Sequence, residues 1–239
     1  GMRGTDVARE AAAIVLQDDR FETIAAAVEE GRIIGDNIRK FVFYLFSCNL
    51  AEVLVLLVAG LLGLPVPLQP LQILWINLVT DTFPALALAL EPGDPEVMRR
   101  PPADPQQEIL SRTFLLRVAW FAALIVAGTM VALFWGLRQS HAHANTMAFM
   151  TLAFAQILHL GNARSDHPVL RLRAVLSNPY ALVAVAVSGL LQILPAGVPA
   201  LANLLGVTPL TLADWAVVLA CASLAAVVGQ GSRLWRDRR

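Results

Sequence analysis

Apolar positions along this chain gather into long runs, separated by short stretches rich in Pro, Gly or charge. A helix needs about 20 mostly apolar residues to cross a bilayer, and six runs approach that length. The first belongs to a helical pattern from Phe21 to Leu64 that contains no proline. At about 1.5 Å per residue it would extend about 66 Å, roughly twice the hydrocarbon thickness, so its first part, residues 21–40, is predicted to stand out as a cytoplasmic stalk. The other spans are predicted at Leu71–Leu90, Thr113–Leu137, Asn145–Gly161, Pro179–Leu194 and Leu212–Gly229. The expected fold is all-α, a polytopic membrane bundle of six transmembrane helices with a short soluble N-terminal remnant over residues 1–20.

The connecting segments complete this outline. A helix is expected over Thr5–Ala12, followed by a brief apolar run, Ala13–Leu16, that suits a strand edge; this piece is too small to bury a core alone. Asp19 followed by Glu22 reads as a capping box at the head of the long helix. Leu64–Pro70 predicts a tight turn that sets the first two spans side by side. Glu91–Arg112 has too many prolines for a helix and reads as a connector or as a docking surface for a cytoplasmic domain. His141 and His143 fall in the loop after the third span, where two solvated histidines bind nothing. Asp214, at the edge of the sixth span, is also expected to be solvated, next to Trp215 as an interfacial anchor.

With 57% hydrophobic and 15% charged residues over 239 positions, an ordinary soluble domain is excluded. Formal net charge is zero, yet 17 of the 18 Lys and Arg lie in alternate segments, with Arg138 alone opposite. This asymmetry predicts cytoplasmic termini in a plasma or inner membrane, and nothing in it points to nucleic acid. The basic tail Arg233–Arg239 suits an anionic leaflet. Cys48 and Cys221 both fall in spans, so no disulfide framework is available. The opening Gly1-Met2-Arg3 is that expected of a piece of a longer polypeptide.

Against this background, Ser47, Asn49, Glu52, Asn77, Thr80 and Asp81 lie where a membrane helix should hold no polar group. A charge there costs at least about 2.5 kcal/mol, which makes two carboxylates a functional feature. Asn49 and Glu52 are three residues apart, and Asn77, Thr80 and Asp81 stand at i, i+3 and i+4, so each set projects from one helix face. Together they offer amide carbonyls, a hydroxyl and two carboxylates without sulfur or imidazole, the ligand set of a hard cation. Asn, Ser and Thr taken singly also serve as glue between membrane helices, and Cys48 beside them packs. Pro84 removes a backbone hydrogen bond near the carbonyls of Thr80 and Asp81, where an unwound turn would offer further oxygens and a plain kink is the alternative. In the fourth span, Gln156 could add one carbonyl oxygen, and His159 reads as a hydrogen-bonded interior residue.

Three stretches, GTDVAREAAAIVLQDDRFETIAAAVEEGRIIGDNIRKF, SCNLAEV and LQILWINLVTDTFPALALALEPGDPEVMRRPP, resemble in order and spacing the carboxy-terminal membrane part of a P-type cation-transporting ATPase, calcium-pump branch. The resemblance is dense over residues 4–112 and mainly topological beyond. It implies that the first stretch is the end of the phosphorylation domain and the stalk, and that the rest is the last six of ten transmembrane helices. Asn49 and Glu52 match cation ligands on the fifth family helix, and Asn77, Thr80 and Asp81 match those on the sixth. Gln156 falls where the reticulum-type pump has Glu and is similar to the plasma-membrane type, as is the following Asn162-Ala163-Arg164, whereas Glu52 resembles the reticulum type. Asn77, where sodium-potassium pumps carry an acid, favours calcium as the transported cation, with sodium, proton or manganese as alternatives.

The same resemblance implies a phosphorylated Asp in D-K-T-G-T, a nucleotide-binding domain and a fourth family helix, and this sequence contains none of them. ATP and Mg²⁺ would act only through those further domains, so the chain is expected not to hydrolyse ATP alone. Its expected partners are the bilayer and the N-terminal part of the pump. A non-catalytic six-helix remnant or scaffold is the alternative; a secondary transporter is disfavoured because no inverted repeat is visible.

Overall fold

A computed structural model describes residues 4–18, 20–102, 110–165 and 176–236. The described residues are helical and contain no strand, including the apolar run at 13–16 for which a strand edge is predicted. Helix α1 (Asp6–Glu10) starts at Thr5, whose hydroxyl accepts from the Ala8 amide at 3.3 Å. Asp18 accepts from the Arg20 amide and the Thr23 hydroxyl at the head of α2 (Phe21–Leu61), and these bonds hold its carboxyl below the usual carboxylate range. Asp19, on which the predicted capping box rests, lies outside the described residues. Helix α2 runs unbroken for 41 residues until Gly63 adopts a left-handed φ of 66° and turns the chain.

The next span is not one regular helix. It comprises α3 (Pro70–Trp75), a π-helical turn at Ile76–Thr80 and α4 (Thr82–Ala89). A 3₁₀ turn, Val97–Arg99, follows in the Pro-rich loop. Helices α5 (Arg112–Gly136) and α6 (His141–Arg164) are capped by Ser111 and Ser140, and α7 (Pro179–Gly197) by Asn178 with Pro179 in its first turn. A short α8 (Pro199–Leu205) lies between the fifth and sixth predicted spans, and ends at Gly206 in the left-handed region. The last span is two helices, α9 (Leu212–Ala222) and α10 (Leu224–Arg236), bent by 40° at Ser223. The Ser223 hydroxyl bonds back to the Ala220 carbonyl at 2.8 Å, a local alternative to the helical ladder that bends helices.

Among the described residues, Phe21–Leu61, Pro70–Ala89, Arg112–Gly136 and Pro179–Gly197 are long and apolar enough to cross a membrane, and the bent pair at the C-terminus counts as a fifth. Helix α6 has the length of a span but is too polar to meet that criterion. It is instead the pillar of the bundle, packed by α2, α5, α7, α9 and α10. Small residues such as Ala144, Ala148 and Ala153 let its neighbours approach. His141 and His143 belong to its first turn rather than to a loop. His143 is buried, with Nε2 3.3 Å from Asp214 Oδ2. Asp214 is buried too, accepting from Thr211 and the Trp135 indole, so neither residue is solvated as the sequence suggests.

Backbones come very close where α5 meets α9. A Cβ at Gly128 would clash with the backbone carbonyl oxygen of Cys221, whereas one at Gly189 on α7 would meet nothing within 4 Å. Gly128→Ala is therefore expected to cost about 1–3 kcal/mol by overpacking, seen as a lower thermal midpoint of the detergent-solubilised chain. Gly189→Ala is the matched control, expected to leave the midpoint in place.

Candidate cation site

The two carboxylates singled out by sequence come to one place. Glu52, on α2, is 5% exposed, and Asp81, between the π turn and α4, is 2% exposed. A carboxylate inside an apolar bundle must find donors on other elements. Glu52 Oε2 accepts from Asn77 Nδ2 at 2.8 Å, and its Oε1 accepts from Gln156 Nε2 at 2.9 Å. Gln156 also donates to the Cys48 carbonyl at 3.3 Å, so α6 is tied to α2 twice by one side chain. Asp81 Oδ1 accepts from the Tyr44 hydroxyl at 3.2 Å.

Local backbone geometry explains how Asp81 arrives there. Pro84, in the first turn of α4, has no amide hydrogen for the carbonyl four residues earlier, that of Thr80, and its ring crowds that carbonyl. The chain relieves the conflict by widening into the π turn, in which the Asp81 amide bonds to the Ile76 carbonyl five residues back at 2.9 Å. The expected unwound turn is thus a wider turn with its ladder kept. Thr80 is fully buried, its hydroxyl donating to the Ile76 carbonyl at 2.9 Å.

Of the six predicted residues, Glu52, Asn77 and Gln156 are joined directly by hydrogen bonds, Asp81 is tied to α2 through Tyr44, and Thr80 is buried beside Asp81 in the π turn. Asn49 is not brought to them. Its side chain is exposed and donates to the Leu45 carbonyl of its own helix at 2.8 Å. It shares its outward face with Phe46, Val53 and Leu57. Tyr44 was not singled out by the sequence reading, although Tyr44, Cys48 and Glu52 follow at i, i+4 and i+8 and form one buried stripe. His159 is fully buried among the rings of Phe43, Tyr44 and Phe121.

Two buried acceptors here, Asp81 Oδ2 and Gln156 Oε1, have no hydrogen-bond partner among the described residues. An acceptor left so in an apolar interior is costly, and a hard cation is the natural partner for an oxygen of either kind. Among the described residues no three His, Cys, Asp or Glu gather as a metal cluster. A cation here would therefore draw on two carboxylates completed by amide and hydroxyl oxygens, a set suited to a weakly held, exchangeable ion.

The cytoplasm-facing end predicted from sequence holds a second polar group. Arg164, at the end of α6, places Nε 3.1 and 3.0 Å from the two carboxylate oxygens of Glu91, just after α4. Glu91 also accepts from Asn178 Nδ2 at 2.6 Å, and its carbonyl accepts from Asn37 Nδ2 on α2 at 2.7 Å. Further along the loop, Arg100 pairs with Asp36 at 2.8 Å, and Arg32 donates to the Val97 and Arg100 carbonyls at 2.9 and 2.7 Å. The long helix and the span bearing Asp81 are thus joined twice, at the carboxylates and at this lock. No sequence spacing points to the lock, because its members come from four separate segments.

The profile of the family described as "Cation transporting ATPase, C-terminus" matches residues 65–235. The chain is 39% identical to a calcium-transporting ATPase of Bacillus subtilis over 100% of its own length and 27% of that protein's. It is 38% identical to calcium-transporting ATPase 1 of Bacillus cereus, over 96% of this chain and 28% of the relative. A probable cation-transporting ATPase F of Mycobacterium tuberculosis is 34% identical over 95% of this chain and 25% of its own length. The chain thus spans about a quarter of the length of these curated relatives.

The lock has a measurable weight. Glu91→Ala leaves the Arg164 guanidinium buried without its carboxylate and is expected to destabilise the folded chain by about 3–5 kcal/mol. Glu96→Ala, which removes an exposed partner of Arg99, is expected to leave the thermal midpoint nearly unchanged.

Proposed function

We propose, from the premise that this chain belongs to the carboxy-terminal family of cation-transporting ATPases, that it forms the membrane-embedded cation-binding module of an ATP-driven P-type export pump whose cargo is calcium. The observation that carries this reading is the pair of buried carboxylates, Glu52 and Asp81, held by donors from three elements next to two buried oxygens without partners. Glu52, Asp81, Asn77, Thr80 and Gln156 would be the cargo's ligands. Two relatives are named calcium-transporting ATPases, which favours calcium over sodium, proton or manganese. Glu52 and Asp81 supply the charge, and the neutral oxygens complete the shell while leaving the ion free to depart.

In this reading α6 is also a span, the fourth in chain order, and brings the number of spans to six. It tolerates its polar residues because other helices wall it in, and both termini face the cytoplasm by the positive-inside asymmetry. The outward face of α2 that carries Asn49 would be covered by further helices of a longer pump. Because the chain spans about a quarter of its relatives, we assign the phosphorylated Asp, ATP and Mg²⁺ to the rest of the protein. Alone, the chain would not hydrolyse ATP. The α2 stalk and the loop after Glu91, joined by Arg32, Asp36 and Asn37, would carry the movements of the cytoplasmic domains to Glu52 and Asp81.

The test is made in the full-length pump. Glu52→Gln and Asp81→Asn are each expected to raise the calcium concentration for half-maximal ATPase activity about tenfold or more, since one anionic ligand is lost, while the thermal midpoint stays near that of the parent. Unchanged calcium dependence in both variants would remove the site assignment.

A further inference from the structure

Helix α7 carries no carboxylate and takes no part in the ligand set above, yet it packs directly on the π turn. It does so through two polar side chains one turn apart, both buried in the bundle. Gln192 Oε1 accepts from the Trp75 indole at 3.0 Å, on the residue just before the turn. Ser188, 0% exposed, donates its hydroxyl to the Thr80 carbonyl at 3.1 Å, at the turn's last residue. The two contacts bracket Ile76–Thr80 from one side.

The Thr80 carbonyl is the one that Pro84 leaves without its helical donor. In a fully buried position this oxygen needs a replacement, and the Ser188 hydroxyl is the donor that reaches it. The consequence bears on the neighbouring residue, because Asp81 takes its direction from the turn that Thr80 ends. With the carbonyl held by α7, the peptide between Thr80 and Asp81 is fixed and Asp81 Oδ1 stays in reach of Tyr44. Without that bond the peptide is held only by the Asp81 amide's bond to the Ile76 carbonyl, and the unpaired Thr80 carbonyl would tilt toward another partner and shift Asp81 with it.

We propose that Ser188 is a positioning residue that sets the cation affinity of the site from α7, by supplying to the Thr80 carbonyl the hydrogen bond that Pro84 cannot. The proposal rests on the pump reading given above. Ser188 itself touches no cation; it acts through Thr80 and Asp81.

The experiment is a double-mutant cycle in the full-length pump reconstituted in lipid vesicles, with calcium chloride titrated against ATPase rate. Ser188→Ala is expected to raise the half-saturating calcium concentration about tenfold while the maximal rate stays within about twofold. Pro84→Ala restores a backbone N–H aimed at Thr80, so in that background Ser188→Ala should add less than about a threefold further shift. Ser188→Thr keeps the hydroxyl and Ser188→Val matches its shape without it. The Thr variant should stay near the parent and the Val variant should follow Ala, a comparison that stands even if Ser188→Ala folds poorly. Equal affinities for Thr and Val, or a Ser188→Ala effect undiminished beside Pro84→Ala, overturn the proposal. If Ser188→Ala leaves the affinity unchanged while Asp81→Asn shifts it, the positioning role falls and the pump reading stands. If Asp81→Asn and Glu52→Gln also leave it unchanged, the pump reading itself falls.

Discussion

Two carboxylates inside an apolar helical bundle set the terms for the rest of this molecule. Neither Glu52 nor Asp81 can be satisfied by its own helix, because helical amides there are already engaged. Each must draw a donor from another element, and the donors then fix how those elements sit. Asn77 brings the start of the π turn to Glu52, Gln156 brings α6, and Tyr44 holds Asp81 against α2. A bundle in lipid lacks the hydrophobic force that gathers helices in water, so such bonds carry a larger part of its specificity. This is also why α6 is polar where its neighbours are apolar. Its Gln156, Asn145 and Asn162 meet helices on several sides, and lipid never reaches them.

The π turn follows from the same demand combined with Pro84. A regular helix would push the Thr80 carbonyl into the proline ring, and a broken one would leave several buried carbonyls without donors. Widening by one residue keeps the ladder through the bond from the Asp81 amide to the Ile76 carbonyl, and the Thr80 carbonyl takes its bond from α7. A rigid, slightly over-wide turn therefore presents Thr80 and Asp81 next to each other. Turns of this kind place side chains at angles that a straight helix cannot reach.

Much of this was legible in the sequence, and the parts that were not share a cause. The long first helix could be read because a run without proline needs no information beyond itself; the predicted Phe21–Leu64 and the observed Phe21–Leu61 differ only in the last turn. Glu52 and Asp81 stood out because a charge in an apolar run is conspicuous. Asn49 was grouped with Glu52 by spacing, but it lies about 100° around the helix from Cys48, off the buried stripe of Tyr44, Cys48 and Glu52. Which of two adjacent faces is buried depends on what packs there. His143 and Asp214 read as solvated because each alone sits at a helix end, and only the folded chain shows them facing each other. The contacts that join Arg164, Glu91, Asn178 and Asn37 could not be read for the same reason.

The two joints between α2 and the following span lie at different depths on one rod. Asn37 and Glu52 are fifteen residues apart on an unbroken helix, or about 22 Å. At the first, α2 holds the backbone after α4 through Asn37 and Glu91; at the second, Glu52 holds the start of the π turn through Asn77. Between them the partner is not a straight helix, since the π turn and Pro84 interrupt it. A rod joined at two points to a segment with a break between them cannot tilt without changing that break. The carboxylate at the break is Asp81, so the geometry that satisfies two buried charges is also the geometry through which a tilt of α2 would reach them.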